Sequence, residues 1–196
     1  MRLASYIFFL SFIFILFAQD KTAQDKKTEK ETKLKPSEAP IELKQILAQF
    51  LDEARKVTYY EESDGSLKSY EVKFRFNDSY YSIEFDDSLR LEDIEVIVNE
   101  SQLSGEVLSR VKKHLSNQGK FKIDKIQKQF SSDKWADDEV VNQALNNATG
   151  DIVRYELEVS LKTESEWKAF EMLFSSDGRF ISQREIIKRS SDFVLY

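Results

Sequence analysis

Between Tyr70 and Phe76 every second residue is large and apolar (Tyr70, Val72, Phe74, Phe76), with Glu71, Lys73 and Arg75 in the gaps. The same alternation returns at Tyr155, Leu157, Val159 and Leu161 around Glu156, Glu158 and Ser160. A period of two sends neighbouring side chains to opposite sides of an extended backbone, so both runs read as half-buried strands with one apolar and one charged face. Ahead of each run the period changes. Ile41, Leu43, Ile46, Leu47, Phe50, Leu51 and Ala54 recur at three- and four-residue spacing after Pro40, which suits a first helical turn. Val107, Val111 and Leu115 repeat the stripe in a second amphipathic stretch, from about 103 to 117, that ends before Gly119. Asp64-Gly65 and Asp177-Gly178 are tight-turn dipeptides between strand-like runs.

The helices align at an offset of 64 and the following strands at 85, which puts 21 additional residues into the second copy. They fall at 131–150, where Ser132 or Asp133 can cap a short helix running to Ala144. Strands are expected over 56–62, 68–77, 80–86 and 90–98, then 120–130, 152–162, 167–175 and 179–188. The fold class expected is α+β: two tandem repeats of a helix packed on a four-stranded antiparallel meander, with a short helical insertion in the second repeat. Repeat 1 spans 38–100 and repeat 2 spans 101–196. Each alone is marginal in size, so the two sheets are expected to join or to pack on each other.

Composition removes most familiar chemistry. There is no cysteine, hence no thiol nucleophile, disulfide or thiolate metal site, and the single histidine is His114. The five glycines stand too far apart for a phosphate-binding loop, a dinucleotide fingerprint or a nucleophile elbow. Neither catalytic, cofactor-binding nor metal-binding residues are assigned, and the chain is read as a non-enzyme. His114 aligns with Phe50 and is expected at the buried edge of its helix.

Arg2 precedes an apolar run from Leu3 to Phe17, followed by Ala18-Gln19-Asp20, the pattern of a secretory signal peptide over residues 1–18 with cleavage after Ala18. The 15-residue run from Leu3 to Phe17 spans about 22 Å as a helix, short of the ~30 Å a bilayer requires, so no stable membrane span remains after cleavage. Loss of Arg2 moves the net charge from −6 to −7, and an acidic exported chain is a poor partner for nucleic acid. Residues 19–37 are nearly all charged or polar and read as a disordered linker. The location expected is the periplasm or the exterior.

Tyr70-Glu71-Val72-Lys73-Phe74, then Tyr81-Ser82-Ile83-Glu84-Phe85-Asp86-Asp87, are echoed by Tyr155-Glu156-Leu157-Glu158-Val159 and by Glu171-Met172-Leu173-Phe174-Ser175-Ser176-Asp177-Gly178-Arg179. With a helix before each and an export signal in front, residues 40–188 resemble a tandem of the PepSY-like, beta-lactamase-inhibitor-like family of exported Bacteroidetes proteins. Asp87-Ser88-Leu89 in the first copy departs from the Asp-Gly turn usual in that family, and the absence of cysteine departs from the disulfide-bonded inhibitor after which it is named. The resemblance implies a non-enzymatic module that binds or restrains another envelope or secreted protein through a concave sheet. It carries over no inhibitory residue.

If Tyr70, Val72, Phe74 and Phe76 face the helix, then Lys73, Arg75, Tyr80 and Glu84 face outward, as do Glu156, Glu158, Trp167 and Glu171. Aromatic side chains among charges suit a protein interface, which makes Lys73, Arg75, Tyr80 and Trp167 the candidate partner contacts. The plainer alternative is cross-strand pairing of Lys73 or Arg75 with Glu84. Trp135 beside Asp133, Asp137, Asp138 and Glu139 reads as the acidic first turn of a helix. Two other functions stay open: a small ligand or envelope polymer held between helix and sheet, marked by a cavity of several hundred Å³, and a carboxylate hydrolase, marked by converging acids with one raised pKa.

Overall fold

The structure, a computed structural model, describes residues 26–48, 54–131, 135–150 and 152–187. The signal peptide over 1–18 lies outside the described residues. Eight strands follow the alternation read from the sequence: β3 (Arg55–Asp64), β4 (Leu67–Phe76), β5 (Ser79–Asp86), β6 (Leu91–Val98), β7 (Phe121–Ser131), β8 (Val153–Lys162), β9 (Trp167–Ser175) and β10 (Phe180–Ile186). Gly65 turns β3 into β4 at φ 64° and Gly178 turns β9 into β10 at φ 81°. Asn77 and Asp78, both at positive φ, turn β4 into β5.

These strands do not form two separate meanders. All lie in one ten-stranded sheet, in the order β1 (Lys26–Lys27), β10, β9, β8, β7, β6, β5, β4, β3 and β2 (Lys30–Leu34). The tandem arrangement of a helix on four strands, twice, is therefore corrected to a single continuous mixed sheet. The joint is β6 against β7, paired antiparallel from Asp93–Ser131 to Val98–Ile126. An edge strand of either half would have left a row of backbone donors and acceptors unpaired, and joining satisfies both rows at once.

The two strands not anticipated are β1 (Lys26–Lys27) and β2 (Lys30–Leu34), inside the stretch read as a disordered linker over 19–37. Composition argued against order because the stretch has almost nothing apolar to bury. What orders residues 26–34 is backbone pairing, and 19–25 lie outside the described residues. β1 pairs parallel with β10, and β2 pairs antiparallel with β3. One short stretch thus engages both outer strands, and the sheet curls until its two sides come together. Across that seam Thr28 donates its backbone N–H to Asp64 at 2.8 Å, and Arg184 of β10 lies 3.3 Å from Asp64 at the end of β3.

The helices α1 (Ile41–Leu47), α2 (Gly105–Gln118) and α3 (Asp137–Leu145) pack on the apolar side of the sheet. Within α1 the buried residues are Leu43 and Leu47, and α1 lies against β4. α3 covers β6 and β7; its acidic first turn is Asp137, Asp138 and Glu139, as read, and its N-cap is Ala136 with no side-chain cap. Ser132 and Asp133, read as its caps, lie outside the described residues. α2 buries Val107, Val111 and Leu115. Its His114 ring stacks on Phe180 at 4.3 Å and meets Phe174 edge-on, so the helix sits over β9 and β10. Val72, Phe74, Ile83, Ile94, Phe130, Leu157, Met172 and Phe174 fill one core between the sheet and the helices.

Candidate functional site

Strand parity assigns the other side of the sheet. Val72 and Phe74 point to the helices, so Glu71, Lys73 and Arg75 point away, and the registers carry this through Glu84, Asp93, Glu95, Gln127, Gln129, Glu156 and Glu171. On a flat sheet these side chains would be solvated. Here the curl encloses them: Glu62 and Glu71 are each only 3% exposed, and Glu95, Gln127, Gln129 and Glu171 are buried too. Lys27, Glu84 and Asp93, from β1, β5 and β6, are close enough to shift one another's titration across the interior.

Buried charge is tolerated only where it is paired or neutralised. Lys73 sits 2.7 Å from Glu31 and 2.9 Å from Glu71, and its ammonium lies 5.1 Å from the centre of the Tyr60 ring. Lys27 reaches Glu171 at 2.5 Å and Glu29 at 2.8 Å, and Arg184 reaches Glu171 at 2.6 Å. Lys125 pairs with Glu158 at 2.8 Å. Gln127 donates to Glu95, and Gln129 donates to Asp93 at 3.1 Å. Asp93 Oδ1 is buried without a hydrogen bond.

Acids outnumber cations inside, and protons make up the difference. Burial first, then hydrogen bonds to Glu71 and Glu29, drives the Glu62 carboxyl far above the usual range, so it stays protonated. Burial pulls Glu29 the same way, but the Glu62 hydrogen bond and Lys27 prevail and bring it down to about 2. Burial and neighbouring carboxylates raise Glu84, Asp93 and Glu95 well above the ordinary value. Glu156 is pushed up to about 7 by burial and Glu171, against Lys27, Lys125 and Arg184. Glu171, by contrast, is lowered: Lys27 and Arg184 overcome its burial.

Two kinds of chemistry can be tested against this arrangement. Carboxylate oxygens of Glu31, Glu62 and Glu71 lie within 4.8 Å of one another, a donor set that suits a hard cation. The Lys73 ammonium already bridges Glu31 and Glu71, and Glu62 holds its proton, so the positive charge such a set calls for is supplied from within. A glycosidase places its two carboxyl groups far enough apart to admit a sugar or a water, whereas Glu62 is hydrogen-bonded directly to Glu29 and Glu71. The acids converge and several are raised, where the hydrolase reading required one, but the contact of Glu62 with Glu29 and Glu71 does not fit that spacing. A pocket of about 260 Å³ opens beside Glu29, Glu62 and Glu84, between the β3–β4 and β5–β6 turns.

The four residues selected from the sequence share this inner face, in different surroundings. Lys73 belongs to the ion network, paired with Glu31 and Glu71 and not with Glu84. Arg75 is opposite Tyr80, with its guanidinium 5.8 Å from the Tyr80 ring and an ion pair to Asp78 at 2.9 Å. Tyr80 begins β5 and is 49% exposed; Trp167 begins β9, four strands away, and is 53% exposed. Both stand at the same end of the sheet, because β5 and β9 run in the same direction. The pairing of Tyr81 with Val96 puts Ile97, exposed and at the end of β6, beside Tyr80. Ile97 escaped the sequence reading, although its parity within β6 carried the signal.

By sequence the chain matches no family model and no curated protein. By fold it is similar to a DUF2874 family protein from Bacteroides uniformis (TM-score 0.51, 16% identity, 75% of this chain and 89% of that one). It is also similar to a protein of proposed periplasmic location from Bacteroides eggerthii (TM-score 0.52, 11% identity, 75% and 88%). A BLIP-like protein from Bacteroides fragilis aligns over 80% and 92% of the two chains at 13% identity, but its TM-score of 0.49 carries no weight. At these identities the likeness is one of architecture: this chain has the fold of the two Bacteroides proteins from B. uniformis and B. eggerthii.

Proposed function

We propose that the chain is an exported, non-enzymatic module of the PepSY-like, beta-lactamase-inhibitor-like kind that binds another envelope or secreted protein. Contact is made at the open end of the inner face, by Arg75, Tyr80, Ile97 and Trp167. The observation that carries this reading is the exposure of Tyr80, Ile97 and Trp167 together at one end of a sheet whose inner face is otherwise charged and closed. Large side chains with few rotatable bonds supply contact area at small entropic cost, and an arginine beside a tyrosine is a frequent companion in such surfaces. Lys73, committed to Glu31 and Glu71, acts by holding the network beneath this rim. The periplasmic reading draws its support from the signal-like first 18 residues and from the fold shared with the B. eggerthii protein.

The test is affinity capture from native envelope and culture fluid, with the wild-type chain and the Tyr80→Ala/Trp167→Ala variant side by side. Both residues are exposed, so the variant is expected to melt where the wild type does and to lose a partner that the wild type retains. The same partner bound equally by both proteins would overturn the assignment of the rim.

A further inference from the structure

Five charged residues are buried among the described residues, and four of them, Glu62, Glu71, Glu95 and Glu171, belong to the acidic inner face. The fifth, Lys128, is on the other side. It lies on β7 between the core residues Ile126 and Phe130, opposite Val96 and Tyr155, and is 6% exposed. Its ammonium donates to the backbone oxygen of Asn147 at 3.1 Å and to Asn147 Oδ1 at 2.7 Å, and stands 5.2 Å from the centre of the Phe130 ring. An ammonium carries three donors and a full charge. Asn147 takes two of the donors and none of the charge, and among the described residues no carboxylate pairs with it. In a chain with 35 acidic residues this is a conspicuous omission. Burial correspondingly pulls the Lys128 pKa down.

Lys128 lines a pocket of about 330 Å³ between the sheet and the ends of α2 and α3. Val98, Val107 and Tyr155 line it, together with Gln102, Asn147 and the hydroxyl-bearing residues Ser104, Thr149 and Ser176. No acidic residue lines it, in contrast to the pocket beside Glu62. Ser104 is the N-cap of α2, so the positive end of a 14-residue helix borders the same space. The acid in that first turn, Glu106, is paired with Arg110 at 2.5 Å.

We propose that this pocket binds a small organic carboxylate, with the carboxylate on Lys128 and the apolar part against Val98, Val107 and the Tyr155 ring. A metal cation would be repelled by the ammonium. A phosphate dianion calls for more than one cation and has no use for the apolar wall. A monocarboxylate with a short hydrocarbon tail matches both charge and lining. The site is independent of the rim proposed for a partner protein, and either can fail alone.

Nuclear magnetic resonance titration of the full chain tests it, following the Lys128 side-chain signal with sodium butyrate, butyramide and sodium phosphate at matched ionic strength. Saturable shifts are expected with butyrate, with butyramide binding at least about tenfold more weakly because it lacks the charge. Lys128→Met should abolish binding. Because that change also removes the bonds to Asn147, Thr149→Trp provides a second variant: it fills the pocket from an exposed position, keeps the ammonium, and should abolish the butyrate shift as well. Butyrate no tighter than butyramide would leave Lys128 as a clamp on the end of α3 and overturn the proposal. Phosphate tighter than butyrate, or unchanged butyrate binding in Thr149→Trp, would overturn it equally.

Discussion

Glu62 and Glu29 are two glutamates in hydrogen-bonding contact that hold their protons on opposite terms. Glu62 is neutral because burial and two neighbouring carboxyl groups leave it no alternative; Glu29 is ionised because Glu62 donates to it and Lys27 faces it. Glutamine at position 62 keeps a neutral donor in place, so Glu62→Gln is expected to leave stability at pH 7 within about 1 kcal/mol of wild type. Glu29→Gln removes a charge that Lys27 needs and should cost clearly more. Lys73→Met strips the ammonium from Glu31 and Glu71 together. The loss expected is about 1–3 kcal/mol, below the full figure for a buried pair because the lysine side chain is partly exposed. Urea denaturation of the three variants checks the order, and a Glu62→Gln cost as large as that of Lys73→Met would refute the protonated Glu62. The acidic character of this site is plain in the strand parity, where Glu71, Glu84, Glu156 and Glu171 share one side. Its enclosure is not, because it depends on Glu29 and Glu31 arriving from a stretch whose composition gives no reason to fold.

At the scale of elements, alternation located eight strands to within a few residues, since each strand's pattern is a local property of backbone geometry. Pairing between strands is a non-local property: the marginal size of each half gave a reason for the two sheets to join or pack, but nothing in Asp93 to Val98 says that its partner is Ile126 to Ser131. The first helix runs over Ile41–Leu47, and Phe50 and Leu51 of its stripe lie outside the described residues. The β9–β10 turn lies close against α2 at Gly178. A Cβ on Gly178 would lie 2.8 Å from the Val107 backbone oxygen, at a φ of +81° that disfavours any side chain. Both effects act in the same direction, so Gly178→Ala is expected to destabilise by about 2 kcal/mol or more. Hydrogen exchange should localise the loosening to α2 and β10; a variant as stable as wild type would mean that the turn re-forms without this contact.

For the whole molecule, the sum of raised and lowered carboxyl groups sets the dependence of stability on pH. Glu62, Glu84, Asp93, Glu95 and Glu156 bind protons more tightly folded than unfolded. Their contribution is complete below the ordinary carboxyl range and is lost as pH rises through the folded values, for Glu156 between 4.5 and about 7. Glu29 and Glu171 act in the opposite sense and weaken the fold as pH drops below the ordinary range, for Glu29 toward about 2. Maximum stability is therefore expected near pH 5, with the melting temperature falling steadily from there to pH 8; a melting temperature that rises over that interval would contradict the enclosed, protonated interior. The pairing of Lys27 with Ile186 helps to close the seam. These partners stand at opposite ends of the described chain, so the seam is among the contacts of longest sequence separation in the sheet. With the seam open the inner carboxyl groups meet water and ionise at neutral pH. Sealing the sheet draws protons out of solution, so seam closure consumes acid and is weakened in an alkaline medium.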